Sequence, residues 1–338
     1  MDLDTLRAEA KKNLKGYCRV CPVCDGRACS GEVPGMGGVG TGRGFQANLE
    51  SLNRYKLNMR TLHNVKDPDT SCKIFGLTLD TPVLAAPMTG TPYNMGGKLS
   101  EREFIGSIIS GCKIAGGLGF SGDGADPEMY NSGVQAIAAE GGWGIPVIKP
   151  RGQKEVIERI RRAEEAHAVA VGMDIDGAGL VTMALKGQPV GPKTPAELRE
   201  IISSTNLPFI VKGIMTVDEA KIAVDAGAKA IVVSNHGGRI LDHTPGAAEV
   251  LPAIAAEVKG KVTIFADGGV RFGTDVLKLL ALGADAVLLG RPLVVGAFGG
   301  GSEGVRMIIN KITGELKQAM ILTGCASVND VPGDVIYC

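Results

Sequence analysis

The sequence predicts an α/β protein, a (β/α)8 (TIM) barrel with an N-terminal Cys/Gly-rich extension. The first observation is that short apolar runs alternate with helical patterns of about 10–15 residues from residue 80 onward. The second is that the last three runs end in glycine beside polar or cationic residues, where such barrels keep their phosphate site. A doubly wound sheet would place its glycine-rich turn near the first strand. We therefore predict an extension over residues 1–79 and a barrel over residues 80–338.

Eight strands and six intervening helices follow from these patterns. The predicted strands are residues 83–86, 114–118, 146–148, 168–173, 209–211, 230–233, 262–266 and 286–289. The predicted helices are residues 101–110, 153–166, 195–203, 216–226, 247–258 and 274–282. Continuous apolar runs of this length are typical of strands buried on both faces of a parallel sheet. Eight such units favour a closed barrel over an open sheet.

The extension contains short elements and a long glycine-rich segment. Residues 2–15 are predicted to form an amphipathic helix, and residues 45–57 a second helix. Residues 31–44 have almost no side-chain bulk, which predicts a loop or lid. Residues 67–79 are predicted to form a small hairpin that closes the base of the barrel.

Four cysteines of the extension, Cys18, Cys21, Cys24 and Cys29, form a C-x2-C-x2-C-x4-C run. Disulfides are the poorer explanation in a reducing cytosol, whereas thiolates at this spacing can bind a metal. An iron–sulfur cluster and a structural zinc both stay open, although ferredoxin runs usually space their fourth cysteine differently. The remaining alternative is an idle loop in which cysteine serves as a small apolar residue.

Composition excludes several classes of function. Lys+Arg and Asp+Glu total 36 each, so net charge gives no reason to expect binding to nucleic acid or an anionic membrane. No apolar run approaches the ~18 residues of a transmembrane helix, and the N-terminus lacks an apolar signal core. The sequence therefore predicts a cytosolic protein.

The residues that follow three strands predict a phosphate-bearing cofactor beside a histidine. These segments are Ser234-Asn235-His236-Gly237-Gly238-Arg239, Asp267-Gly268-Gly269-Val270-Arg271 and Gly290-Arg291. Glycine lets backbone N–H groups approach a phosphate closely, and arginine adds a bidentate cation. A histidine base and an arginine clamp three residues apart suit proton abstraction next to a carboxylate.

Other strand ends supply a flat apolar wall and further charges. The first strand ends in residues apolar enough to lie against a ring system, namely Ala86, Pro87 and Met88. A lysine buried at a strand end requires an anion, so Lys212 could meet a reduced flavin, form a Schiff base or make a rim salt bridge. Asp174 and Asp176 follow the fourth strand, and a buried carboxylate there would hold a histidine imidazolium.

The stretches "SNHGGRILD", "FADGGVRFGTDVLKLLALGADAVLLGRPLV" and "VKGIMTVDEA" resemble the FMN-dependent 2-hydroxy acid dehydrogenase/oxidase family, which includes glycolate oxidase and lactate oxidase. The resemblance is specific over residues 205–325 and weaker over 45–200. It implies FMN-dependent oxidation of a small 2-hydroxy acid, such as L-lactate or glycolate, to the 2-oxo acid by hydride transfer to the flavin. It also implies a homo-oligomer, and it leaves the electron acceptor open.

The resemblance implies a role for each matching residue. His236 would be the catalytic base, with Asp174 behind it, and Arg239 would bind the substrate carboxylate. The residues that would bind FMN are Ala86, Pro87, Met88, Lys212, Ser234, Asp267, Gly268, Gly269, Arg271, Gly290 and Arg291. Among them, Lys212 would meet the edge of the flavin ring and Ser234 its face.

The chain departs from the family pattern around the substrate. Residues 33–38 contain no counterpart of the family's N-terminal tyrosine, and Gly144 and Pro146 stand where a Gln-x-Tyr ends the third strand. Gly172 replaces a threonine of the fourth strand, and residues 175–181 lack a second arginine that binds substrate. A redox-neutral FMN-dependent isomerase on the same barrel therefore remains the alternative function.

Overall fold

A computed structural model describes residues 1–337 of the chain. Two helices and three short strands precede the barrel. They are α1 (Leu3–Asn13), α2 (Arg43–Arg54), β1 (Lys56–Leu57), β2 (Cys72–Ile74) and β3 (Leu77–Leu79). The Asp2 side chain caps α1 by accepting from Thr5 N at 2.8 Å. Strands β2 and β3 pair antiparallel and form the hairpin predicted within residues 67–79.

Eight parallel strands close into the barrel that the sequence predicts. They are β4 (Val83–Met88), β5 (Gly119–Ser121), β6 (Ile145–Ile148), β7 (Val171–Asp174), β8 (Phe209–Ile214), β9 (Ala230–Val233), β10 (Thr263–Ala266) and β11 (Ala286–Leu289). Val83 of β4 pairs with Val287 of β11, which joins the two ends of the sheet. The strands are buried without alternation because side chains fill the barrel and helices cover it.

Ten helices follow the start of the barrel within the described residues. They are α3 (Thr91–Asn94), α4 (Glu101–Ile114), α5 (Pro127–Ala139), α6 (Gln153–Glu165), α7 (Val181–Leu185), α8 (Pro195–Ser203), α9 (Val217–Asp225), α10 (Ala247–Val258), α11 (Gly273–Ala281) and α12 (Arg291–Thr323). The last strand, β12 (Ile336–Tyr337), pairs antiparallel with β1. Capping boxes at Ser100–Glu103 and Thr194–Glu197 start α4 and α8.

The predicted strand over residues 114–118 is wrong. Helix α4 continues through Ile114, because Phe104, Ile108 and Cys112 extend its buried face by one more turn. Gly116, with φ of 73°, ends the helix in the left-handed conformation that glycine adopts at little cost. The strand follows only at Gly119.

Two long helices were not predicted at all. Helix α5 contains Asn131, Ser132 and Gly133, which are weak helix formers, although Asp126 caps it and Pro127 begins it. Helix α12 is interrupted at Gly300 and Gly301, so its two halves do not share one apolar stripe.

The N-terminal residues pack directly on the barrel's outer helices. Asn13, at the end of α1, donates its side-chain N–H to the Phe298 carbonyl of α12 at 2.8 Å. No helix within residues 1–337 has the length and apolarity needed to cross a membrane. The division at residue 79, the cytosolic location and the homo-oligomeric state stay predictions.

Candidate active site

The carboxyl ends of the barrel strands surround one pocket of about 200 Å³. Parallel strands present their ends at a common mouth, which is why residues distant in sequence meet here. The predicted site residues that line it are Ala86, Pro87, Met88, Asp174, Lys212, His236, Arg239, Asp267, Gly268, Gly269, Arg271, Gly290 and Arg291. The structure therefore brings together every predicted catalytic, substrate-binding and FMN-binding residue except Ser234.

Ser234 lies behind the wall of the pocket rather than on its surface. The residue is fully buried, and its hydroxyl accepts a hydrogen bond from the His236 backbone N–H at 3.0 Å. Its predicted contact with the flavin stays a prediction. In the structure, Ser234 fixes the start of the turn that presents His236.

His236 is presented by a tight turn that depends on its neighbours. Its φ is 57°, a left-handed conformation that is uncommon for a residue with a side chain. A Cβ on Gly238 would lie 2.1 Å from Phe45 N, so glycine is required there. The Asn235 side chain accepts from Gly238 N at 3.1 Å and from Asn48 at 2.8 Å. These contacts attach the turn to α2.

The carboxylate beside His236 is that of Asp176, which corrects the prediction that Asp174 lies behind the histidine. Both Asp176 oxygens lie 3.1 Å from His236 Nδ1. Strand β7 ends at Asp174, and the 3-10 turn Ile175–Gly179 then carries Asp176 round to the histidine. Burial lowers the pKa of His236 and Lys212 lowers it further, while Asp176 acts in the opposite direction. The imidazole is therefore neutral near pH 7.

Asp174 instead pairs with two lysines at the floor of the pocket. Its Oδ2 lies 2.6 Å from Lys149 Nζ, and its Oδ1 lies 3.0 Å from Lys212 Nζ. Burial disfavours the carboxylate, but the two ammonium groups outweigh burial and hold the pKa of Asp174 well below its usual range. Burial likewise opposes the charge on Lys212, yet Asp174 and Asp176 raise its pKa. Lys212 is thus a permanent cation at the pocket floor.

The glycine-rich segment predicted as a loop or lid lies across the pocket. Arg239 Nη1 donates to the carbonyls of Gly35 at 2.6 Å and Gly37 at 3.2 Å. Asn94 accepts from Arg239 Nη2 at 3.0 Å and from Gly35 N at 3.1 Å. Val39 N donates to the Gly238 carbonyl at 2.9 Å. The segment therefore sets the orientation of the Arg239 guanidinium, which is predicted to bind the substrate carboxylate.

Three guanidinium groups face the pocket without a carboxylate partner in residues 1–337. Arg291 donates to the Met36, Gly37 and Gly237 carbonyls, and its guanidinium lies 3.8 Å from the centre of the Phe45 ring. Arg271 donates to the Val270 and Cys24 carbonyls and to Cys24 Sγ, while its Nε is buried without a partner. Burial lowers the pKa of Arg239 to about 10 and that of Arg291 to about 9, so both remain cations near pH 7. Partly buried cations that lack a carboxylate partner are suited to anionic ligands.

The same pocket has the features that FMN requires. Asp267 Oδ1 is buried without a hydrogen-bond partner, and burial raises the pKa of this carboxyl, so it is suited to bonding with a ribityl hydroxyl. Gly268 and Gly269 have φ of 94° and 81°, which exposes their backbone to a ligand. A Cβ on Gly290 would meet only Met88 Sδ, at 3.9 Å. Arg271 and Arg291 are the residues that would hold the phosphate of FMN, and Met88 and Lys212 are those that would contact its ring.

A family model for FMN-dependent dehydrogenases matches residues 35–188 and 180–337. The chain belongs to this family. The resemblance found in the sequence is therefore confirmed, and the enzyme is an oxidoreductase that uses FMN.

Curated relatives are similar to this chain over most of their length. L-lactate oxidase of Lactobacillus jensenii is 33% identical over 324 residues, covering 85% of this chain and 76% of the relative. The 2-hydroxyacid oxidase of Dictyostelium discoideum is 32% identical, covering 86% and 81%. 4-Hydroxymandelate oxidase of Amycolatopsis orientalis is 32% identical, covering 89% and 94%.

Solved structures of mandelate oxidase share the fold. The complex with (S)-2-phenylpropionate has a TM-score of 0.79 and 30% sequence identity, covering 99% of this chain and 97% of the other. A variant with an FMN adduct has a TM-score of 0.77 and 29% identity, covering 98% of each chain. These likenesses confirm the predicted barrel and agree with FMN as the cofactor.

The pocket wall beside β6 and β7 includes residues that the sequence analysis did not single out. Pro146 and Gly172, which depart from the family pattern, are buried within β6 and β7 and do not line the pocket. Lys149, Leu180 and Thr182 line it instead. A lysine at a strand end was the signal that identified Lys212, and the same signal could have identified Lys149. No sequence signal indicated Asn94, whose importance comes from its contacts with Arg239 and Gly35.

Proposed function

We propose that this enzyme oxidises a small 2-hydroxy acid, of the L-lactate or glycolate kind, to the corresponding 2-oxo acid. The observation that carries the proposal is the placement of a neutral His236 and an arginine without a carboxylate partner, Arg239, on one turn after β9. Both line the pocket that also contains Lys212. The three curated relatives described above are all oxidases, which favours oxidation over the isomerase alternative.

Arg239 binds the substrate carboxylate in this proposal. Three contacts, to Gly35, Gly37 and Asn94, hold its guanidinium in place before substrate arrives, so little side-chain entropy is lost on binding. Its positive charge meets the carboxylate in a partly desolvated pocket, where charge-assisted hydrogen bonds are strong.

His236 accepts the proton of the substrate hydroxyl. Asp176 binds Nδ1–H, which leaves Nε2 as the lone-pair nitrogen of the neutral imidazole. Once protonated, the imidazolium is stabilised by the same carboxylate. Bound FMN supplies the acceptor for the hydride that the α-carbon loses. Lys212 keeps a positive charge at the pocket floor throughout.

Anaerobic mixing with hydroxy acids tests the proposal. We expect glycolate, L-lactate or L-mandelate to bleach the visible absorption of bound oxidised flavin and to yield the 2-oxo acid in equal amount. The control is the corresponding 3-hydroxy acid, whose hydroxyl lies one carbon too far from the carboxylate. Absence of bleaching by the whole panel, in protein that retains FMN, would contradict the substrate class.

Replacing Asp176, the carboxylate beside His236, should shift the pH dependence of kcat/KM. Asp176 raises the pKa of His236, so Asp176→Asn lowers that pKa further, and the acid limb of kcat/KM moves to lower pH. Because the imidazolium formed during the reaction loses the stabilisation of this carboxylate, kcat should also fall, by on the order of 10–100-fold, which is part of the roughly 10²–10⁴-fold contribution of a general base. The matched control is Asp225→Asn, an exposed carboxylate at the end of α9, which should change neither quantity. An acid limb that stays in place or moves to higher pH would show that Asp176 does not act through His236.

A further inference from the structure

A second cavity, of about 390 Å³, lies beside the FMN pocket. Its wall contains all four cysteines of the extension: Cys18, Cys21, Cys24 and Cys29. They are half-buried free thiols in the structure. Arg271 and Arg291 line both this cavity and the FMN pocket, so the two guanidinium groups stand between them. Neither the oxidation of a hydroxy acid nor the binding of FMN requires these cysteines.

We propose that Cys18, Cys21, Cys24 and Cys29 bind an iron–sulfur cluster in this cavity, with Arg271 and Arg291 facing its negative charge. The site is separate from the pocket in which substrate is oxidised, and the proposal does not depend on which hydroxy acid is the substrate.

The separation of the sulfur atoms favours a cluster over a single zinc ion. Within residues 1–337, the only group whose ligand atoms all lie within 4.8 Å of one another is Asp174, Asp176 and His236, so no three of the cysteines converge that closely. Tetrahedral zinc, with Zn–S bonds of about 2.3 Å, would require sulfur atoms about 3.8 Å apart. Thiolates that bind the different iron atoms of a cluster lie farther apart and surround a larger volume. The cavity supplies that volume.

Charge and hydrogen bonding around the cavity also suit a cluster. Arg271 Nη2 lies 3.4 Å from Cys24 Sγ, and Val20 N lies 3.4 Å from Cys18 Sγ, so N–H donors already point at two of the four sulfur atoms. Hydrogen bonds to sulfur and nearby charge are among the factors that tune iron–sulfur clusters. Arg291 has no carboxylate partner of its own, and a thiolate-ligated cluster would supply a negative charge beside it.

The segment that carries the cysteines has little else to stabilise it. No helix or strand lies between Asn13 and Arg43, and the buried apolar side chains there are those of Leu14, Val20 and Met36. Long segments without secondary structure are uncommon in compact proteins unless they have a functional role. Metal–thiolate bonds couple directly to folding and would hold this segment against the barrel.

Metal analysis of the FMN-loaded protein, purified without oxygen, tests the proposal. We expect iron and inorganic sulfide in equal amounts, about two or four of each per chain, and an electron paramagnetic resonance signal after reduction with dithionite. Cys21→Ala and Cys24→Ala should each lower iron and sulfide at least about tenfold while FMN content is retained. Cys325→Ala, which removes a buried thiol elsewhere, should leave iron, sulfide and FMN unchanged.

Three results would overturn the proposal. One is a single zinc per chain without sulfide, and another is iron that persists unchanged in both cysteine variants. The third is wild-type protein with neither metal, in which all four thiols are alkylated in the native state. If the variants fail to fold, the wild-type iron, sulfide and alkylation measurements still decide between these outcomes.

Discussion

His236→Ala lowers kcat for the best hydroxy acid by about 10²–10⁴-fold, the contribution expected of a positioned general base. The effect is large because the neutral imidazole, held at Nδ1 by Asp176 at 3.1 Å, is the proposed acceptor of the hydroxyl proton. FMN content should not change, since His236 is not among the residues predicted to bind FMN. Stopped-flow measurement of flavin reduction under anaerobic conditions gives the rate of this step directly.

The matched control is His243→Ala, which removes a histidine whose side chain is 71% exposed a few residues further on. Its rate of flavin reduction should equal that of the wild type. A loss of less than about tenfold in His236→Ala would assign the proton to another group, because it falls below the usual contribution of a base.

Arg239→Met lowers kcat/KM by about 10²–10⁴-fold, because two charge-assisted hydrogen bonds to a carboxylate are worth about 1.5–3 kcal/mol each. The loss should be specific to the acid. A 2-hydroxy amide has the same hydroxyl but no negative charge, so the preference of the enzyme for acid over amide should disappear in the variant. The measurement is kcat/KM for both compounds with wild type and variant.

A purely structural role for Arg239 predicts a different result. Its side chain also donates to Gly35 and Gly37, so the substitution could act by loosening the segment above the pocket. In that case acid and amide would lose activity equally, and FMN content would fall as well. Arg43→Met, at an exposed arginine at the start of α2, is the control and should leave both substrates unaffected.

The barrel and most of the pocket were predictable because strand ends have a local signature. Apolar runs followed by glycine and a charged residue singled out His236, Arg239, Lys212, Arg271 and Arg291. The parallel barrel brings those strand ends together around one pocket. The assignment of Asp174 as the partner of His236 failed for a local reason. Two carboxylates stand two residues apart, and only the course of the turn after β7 decides which one reaches the histidine.

The contacts between the glycine-rich segment, residues 31–44, and Arg239 could not be predicted from sequence. They come from the carbonyls of Gly35 and Gly37, and backbone atoms are the same at every position in a sequence. Asn94 lies 145 residues from Arg239 in the chain, so no local pattern connects them. The glycine content of the segment predicted a loop or lid, but not the groups to which it would bind.

Arg271 contacts Cys24, although the two residues lie 247 positions apart in the chain. The cysteine side of the second cavity is therefore synthesised well before its arginine side. At about 5–20 residues per second, the ribosome makes Arg271 about 12–50 s after Cys24. The barrel closes later still, because Val83 pairs with Val287. For most of its synthesis the nascent chain therefore presents four thiols to the surrounding solution without the arginines that will later enclose them.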